Sequence, residues 1–246
     1  MRDFILMLCL LPIFAFSQST AKAPVCTISY FYGDVDKKVP PGEKWEKPFL
    51  DEAVTEGEWL KTGFDSKAEL SIVDGSQLRI AENSYLQIEG LDAIGDPIIK
   101  FKIKMFMGRL WAKVKKLRRR SEFKIKNPIV VAGVRGTTYR MDFLPDSTTR
   151  LRVYSGTVAV SNEPLKARIE EHGKVEKPHK IPGPHPVKGP HEVSLKEWFV
   201  IVKAQQELWV GKDGEYRVST FNMKKDSQDP WVKWNMERDK QMEGKK

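Results

Sequence analysis

Residues 127–143 read NPIVVAGVRGTTYRMDF. Residues 129–131 and 139–143 are β-branched and aromatic runs, which suit a pleated, half-buried surface. Gly133 and Gly136 bracket Arg135. Glycine takes positive φ or lets another backbone approach closely, so a strand entering here can bulge or reverse sharply. Beyond the turn, Tyr139, Met141 and Phe143 alternate with Arg140 and Asp142, the period of a strand with one wet face. The stretch reads as an architectural turn, with Arg135 at its tip as a candidate contact residue.

Working outward, residues 98–116 carry the next strong signal. Ile99, Phe101, Ile103 and Met105 are apolar at odd positions, with Lys100, Lys102 and Lys104 between them; past Gly108 the apolar set is Leu110, Ala112 and Val114. A strand cannot exchange its faces without an inserted residue or a turn, so Met107-Gly108 is expected to hold a bulge or a hairpin. A similar exchange separates Leu151 and Val153 from Val158 and Val160, with Ser155-Gly156 as the turn. Upstream, Asp74-Gly75 lies between the alternating arms 68–73 and 77–81, a hairpin signal because both residues tolerate positive φ. Short strands at this spacing, with no helical period before residue 190, predict an all-β fold, an antiparallel sandwich or barrel.

Residues 162–193 differ in composition. Pro164, Pro178, Pro182, Pro184, Pro186 and Pro190 lie among many charges, which predicts an extended linker and not a core. After it, Ser194-Leu195-Lys196-Glu197 has the spacing of a capping box, and Leu195, Trp198, Phe199 and Val202 form a stripe, so a short helix to about Lys203 is expected. Asp213-Gly214 predicts a second hairpin, and Asp229-Pro230 a cap and first-turn proline for a terminal helix carrying Trp231 and Trp234. The division is therefore 1–17 signal peptide, 18–161 β domain, 162–193 linker, and 194–246 a small α+β extension, helix-hairpin-helix, packed back on the β domain.

The signal peptide follows from a charged start, a 13-residue apolar run at 4–16, and Ala15-Phe16-Ser17 at the expected cleavage point. That run is well short of the roughly 18–20 residues that span a bilayer. The mature chain is expected to be periplasmic or otherwise extracytoplasmic, with Cys26 its one cysteine, either a small buried thiol or, less in keeping with the preceding Ala23-Pro24-Val25, a lipid-modified residue. The net charge of +9 suits anionic envelope surfaces or acidic partners.

Several short motifs in order resemble the FecR domain: Lys61-Thr62-Gly63, Asp74-Gly75-Ser76, Gly108 with Leu110, Pro128 followed by residues 131–137, and residues 153–158. The resemblance covers roughly residues 28–162, and the tail around Trp198 and 231–239 is similar to the C-terminal part of exported single-domain FecR-like proteins. It implies a periplasmic β domain that senses or transmits. In the founding members a cytoplasmic segment contacts a sigma factor. Here the domain is preceded by a signal peptide, so direct anti-sigma activity is not carried over and a fold with an envelope-side interaction role is.

Between Lys100 and Lys126 twelve Lys or Arg face one acidic residue, Glu122. Lysines on a wet strand face discourage edge pairing, which explains part of this excess. The run Lys115, Lys116, Arg118, Arg119 and Arg120 is not strand alternation. With Trp111, Lys113 and Arg135 it forms the expected binding set for an anionic glycan or lipid, or for the acidic face of an envelope protein, with peripheral membrane contact but no nucleic acid after export. The runner-up is a structural envelope protein that binds cell-wall polymer or lipid. His172, His179, His185 and His191 all fall in the linker at spacings that fix no tetrahedral site, so no metal or other cofactor is expected. No G-x-S-x-G or H-E-x-x-H occurs, and the chain is read as non-enzymatic. Trp231 and Trp234 are either the packed face of a terminal helix or a partner anchor.

Overall fold

Alternation of apolar and polar residues along short segments builds sheets wherever one face can be buried. The computed structural model describes residues 24–93, 99–116, 121–162 and 198–243. Strands make up 53% of the described residues and helices 10%, so the class is all-β, with a nearly closed, barrel-like sheet. The strands in chain order are β1 (Cys26–Tyr32), β2 (Val35–Lys38), β3 (Trp59–Thr62), β4 (Lys67–Ile72), β5 (Gln77–Ile80), β6 (Tyr85–Ala93), β7 (Ile99–Lys113) and β8 (Glu122–Lys126). They continue with β9 (Val131–Val134), β10 (Thr138–Phe143), β11 (Thr149–Ser155), β12 (Thr157–Ser161), β13 (Phe199–Lys203), β14 (Gln206–Val210) and β15 (Tyr216–Thr220). A short helix α1 (Met223–Asp226) and a longer one α2 (Pro230–Glu243) close the described chain.

Two faces are joined through β7. The front sheet has the order β1-β4-β5-β7-β10-β11-β14-β15, and the back sheet β2-β3-β6-β7-β8-β9-β12-β13. The first half of β7 pairs with β6 and, in parallel, with β8; its second half pairs with β5 and β10. The exchange of faces predicted at Met107-Gly108 is a bulge and not a hairpin. Tyr85 faces Met107 while Leu86 faces Met105, which leaves Phe106 as the extra residue. The strand then bends at Gly108, φ +110°, and runs on into the other sheet. A Cβ at Gly108 would lie 2.1 Å from the Ser84 Oγ, so no larger residue fits the bend.

From β8 onward the chain places two strands in one sheet and then crosses to the other. The crossings fall at Arg135–Thr137, between β9 and β10; at Gly156, between β11 and β12; and at Ala204-Gln205, between β13 and β14. Neither the opening stretch nor Ser155-Gly156 is therefore a hairpin, since β9 pairs with β8 and β12 whereas β10 pairs with β7 and β11. The three corners are stitched to one another. Thr137 Oγ1 donates to the Thr157 carbonyl at 2.7 Å, and the Ala204 N–H donates to the Gly156 carbonyl at 3.1 Å. On the other side the Gly136 N–H donates to the Lys115 carbonyl and the Thr137 N–H to that of Val114.

Between the sheets lies one continuous apolar core, including Leu60, Ile80, Ile103, Met141, Val153 and Val202. Cys26 belongs to it and is fully buried; burial, and then the nearby Glu58 carboxylate, push its thiol pKa far up, so the sulfur stays protonated. Both predicted hairpins form, with Gly75 at φ +82° between β4 and β5, and Gly214 at φ +83° between β14 and β15. The helix expected up to Lys203 is corrected, because residues 199–203 are strand β13, paired with β12. The run Phe-Val-Ile-Val suits a strand intrinsically, and the open edge of β12 supplies the partner that a local helical stripe lacks. The expected signal peptide, and the linker from residue 163 on with its histidines, lie outside the described residues.

The corner geometry makes a direct prediction. A Cβ at Gly156, φ +80°, would sit 2.6 Å from the Gly136 carbonyl oxygen, which is backbone and cannot swing away. Gly156→Ala is expected to cost about 3 kcal/mol or more in chemical denaturation. Gly90→Ala, whose nearest contact is the flexible Lys102 side chain at 3.3 Å, should change stability by less than about 1 kcal/mol.

Candidate functional site

Alternation places Glu69, Arg79, Trp111, Arg140, Arg152 and Glu207 on the outer side of the front sheet. Strand register aligns them into one row, each residue opposite the next across neighbouring strands. The alternation at 139–143 predicts a wet face for Arg140 and Asp142, and the structure corrects it: they are 3% and 5% exposed, and Glu69 and Arg79 further along the row are fully buried. The cause is the tail. Asp229 caps α2 by accepting from the Trp231 N–H at 2.9 Å, Pro230 occupies the first turn, and the helix lies across the row with Val232 and Asn235 buried beneath it.

Charge pairing fixes the docking. Arg79 Nε donates to Glu69 Oε2 at 2.6 Å, and its Nη1 donates to Asp239 Oδ1 at 2.7 Å. Arg238 of the helix reaches the same Glu69 carboxylate at 2.7 and 2.9 Å. The Trp111 indole N–H donates to Asp239 Oδ2 at 3.2 Å, and Lys113 Nζ donates to Glu243 Oε1 at 2.8 Å. Arg109 donates to Asp229 at 2.5 Å, while Arg152 and the Tyr154 hydroxyl both donate to Asp226. Trp234 stacks on Trp231 at 5.3 Å and packs on Tyr30 at 5.8 Å, which places this pair among the contacts of a docked helix.

Burial and pairing act oppositely on the carboxylates of this face. Burial raises the Glu69 pKa, but hydrogen bonds from Arg238, Arg79 and Ser29 outweigh it and hold the group below its ordinary value. Asp142 is the reverse case: burial dominates over Arg140 and Arg109 and pushes its pKa up. Two clefts border the tail, about 140 Å³ beside Trp231 and Trp234 and about 280 Å³ beside Phe221 and Asp226. Both are smaller than the roughly 300–1,000 Å³ of small-molecule sites.

The expected basic set divides in three. Trp111, 1% exposed, and Lys113 are engaged by α2 and face the helix, so they are not presented to an external ligand. Lys115, Lys116 and Arg135 do come together, because the Lys115 carbonyl accepts from Gly136 and the Lys116 Cα lies 3.4 Å from where a Gly136 Cβ would stand. Lys116 and Arg135 are exposed at this corner. Arg118, Arg119 and Arg120 lie outside the described residues. Sequence reasoning missed the front row. Its traces were charges of both signs at outward strand positions, matched by Asp226, Asp229, Arg238 and Asp239 in the tail.

Residues 58–159 match the family described as FecR protein, so the chain carries a FecR domain there, from β3 into β12. Both sheets continue beyond the matched segment through β1, β2 and β13 to β15. Two crystal structures of a candidate anti-sigma factor from Parabacteroides distasonis ATCC 8503 are partly alike in architecture, each with 11% identity and a TM-score of 0.47. The likeness covers 69% of this chain and 62% of that chain. No curated protein matches the chain. Among the described residues no helix is long and apolar enough to cross a membrane, and no three His, Cys, Asp or Glu gather as metal ligands.

A lowered carboxylate pKa contributes stability that is present above its ordinary value and is lost as pH falls through the folded-state value. For Glu69 the ordinary value is 4.5. Glu69→Gln should therefore lower stability near neutral pH by about 3 kcal/mol, as expected for one broken member of a buried pair. The gap to the unmodified protein should narrow as acid titration proceeds below that value. A gap independent of pH in urea unfolding would contradict the assignment.

Proposed function

We propose that the protein is a non-enzymatic regulatory or sensory module of the cell envelope, acting outside the cytoplasm. It meets an envelope protein or an anionic envelope component at the corner where Lys115 and Lys116 join Arg135. The observation that carries this reading is the backbone ladder from Val114-Lys115 to Gly136-Thr137, which fixes the start of the basic run beside the turn bearing Arg135. Arg118, Arg119 and Arg120 continue that run. Arginine and lysine at an exposed corner suit phosphate and carboxylate groups, which arginine grips in bidentate fashion.

The FecR domain supports the regulatory or sensory character, and the apolar run at 4–16 supports export. A non-catalytic role agrees with the use of the buried carboxylates: Glu69 is taken up by Arg79 and Arg238, and Asp142 lies 3.2 Å from Arg140. Such pairs set docking and register, whereas a catalytic acid or base needs access to a reacting atom.

Exposed charge is screened by salt, so attachment should fall steeply between low and physiological ionic strength. Reversal of Arg118, Arg119 and Arg120 to Glu is expected to abolish salt-sensitive retention of the protein on envelope fractions without lowering its thermal midpoint. Unchanged retention would overturn the reading.

A further inference from the structure

The back sheet has an outer side of a different kind. Trp59 on β3, Tyr85 on β6 and Phe106 at the β7 bulge alternate with core residues Leu60, Leu86 and Met105, so they point away from the core. Their rings gather side by side, Trp59 at 5.2 Å from Tyr85 and 5.1 Å from Phe106 with interplanar angles of 24° and 26°. Trp45, from the loop after β2, closes the group at 6.1 Å from Tyr85. All four residues remain half-exposed.

Lysines surround the rings. Lys61 Nζ stands 4.3 Å from the Trp45 centroid, Lys38 Nζ 5.2 and 5.3 Å from those of Trp45 and Trp59, and Lys104 Nζ 5.0 Å from that of Phe106. Register draws Lys38, Trp59, Gln87, Lys104 and Lys126 into one line over five strands, about 19 Å at ordinary strand spacing. Because β7 and β8 run parallel, Lys102 sits opposite Lys124 and Lys104 opposite Lys126 on the same outer side. Like charges directly opposite each other cost stability. Glu122 and Glu89 each neutralise one lysine of these pairs, Lys124 and Lys126, and Asp36 is already shared between Lys47 and Lys61.

Cross-strand aromatic pairs alone would account for the packed rings. They do not account for ammonium groups collected over them on a face that already carries in-register lysine pairs. We infer that this face is a binding platform for an acidic polysaccharide, with sugar rings laid along the aromatic group and carboxylates meeting Lys38, Lys61 and Lys104. The cation–π contacts hold each ammonium beside the rings and leave N–H donors for an anion. A membrane surface is the less suitable occupant: insertion needs projecting apolar groups, and here the rings are no more than half-exposed, with Met107, 40% exposed, beside them. The platform is distinct from the basic corner and does not depend on the reading given for it.

The test is calorimetric titration of the full chain with polygalacturonate, with neutral dextran and with phosphatidylglycerol vesicles, at about 20 and about 150 mM salt. Polygalacturonate should bind, more weakly at the higher salt, while dextran and vesicles do not. Trp45→Ala removes a loop residue from the platform, and Lys38→Gln with Lys104→Gln leaves the rings in place. Each should weaken binding at least about tenfold, a loss of about 1.4 kcal/mol, with an unchanged thermal midpoint. The inference is overturned by no polygalacturonate binding at low salt, by equal binding of dextran, by preference for vesicles, or by full affinity in the lysine variant.

Discussion

The architecture depends on a close backbone approach. Gly136 and Gly156 must meet at a distance that leaves no room for a β-carbon, so that two crossings between the sheets lie against each other. The third crossing, at Ala204, hydrogen-bonds to the same Gly156 carbonyl, and the end of β7 seals the other flank through Val114 and Lys115. Peptide groups at such corners would otherwise be unpaired at the edge of a core. Stitching the corners together satisfies them and holds the two sheets as one closed body. The same ladder places Arg135 and the first residues of the basic run side by side, so a constraint of the fold also builds the proposed contact corner.

The two outer faces are used differently. On the front, Glu69, Arg79, Trp111 and Arg140 are buried beneath the tail, while Arg152 and Glu207 at the end of the row are half-buried beside Asp226 of α1, and Arg79 is the hub, bonded both to its own sheet and to α2. Ion pairs of this kind repay little more than their desolvation, yet losing one partner is costly. Their effect here is to fix where the tail lies: a helix shifted by a turn would leave Arg79 and Glu69 buried without Asp239 and Arg238. On the back, the aromatic residues and lysines stay half-exposed and carry an excess of positive charge.

Much of this was legible along the chain. The alternation at 98–116 located the bulge at Met107-Gly108, Asp74-Gly75 and Asp213-Gly214 marked real hairpins, and Asp229-Pro230 marked the start of a real helix. What the sequence could not convey was long-range pairing. Arg140 and Asp142 have the pattern of a solvated face and are buried because a segment some ninety residues later covers them. Trp111 looked available for binding for the same reason. Phe199–Lys203 satisfied a helical stripe locally, and the free edge of β12 decided for strand. The motif Val-Ala-Gly-Val-Arg-Gly-Thr marks a turn by its glycines alone, but that it crosses between sheets depends on the partners of β9 and β10.

In the proposed role, the corner at Lys115, Lys116 and Arg135 faces a partner in the envelope while the buried front row faces its own tail. In-cell photo-crosslinking with a reactive residue placed at Lys116, compared with one at Trp111, tests this most directly. Position 116 should capture an envelope component, with capture suppressed by high salt, and position 111 should give only intramolecular products. Capture of the same component from position 111, or none from position 116, would contradict it.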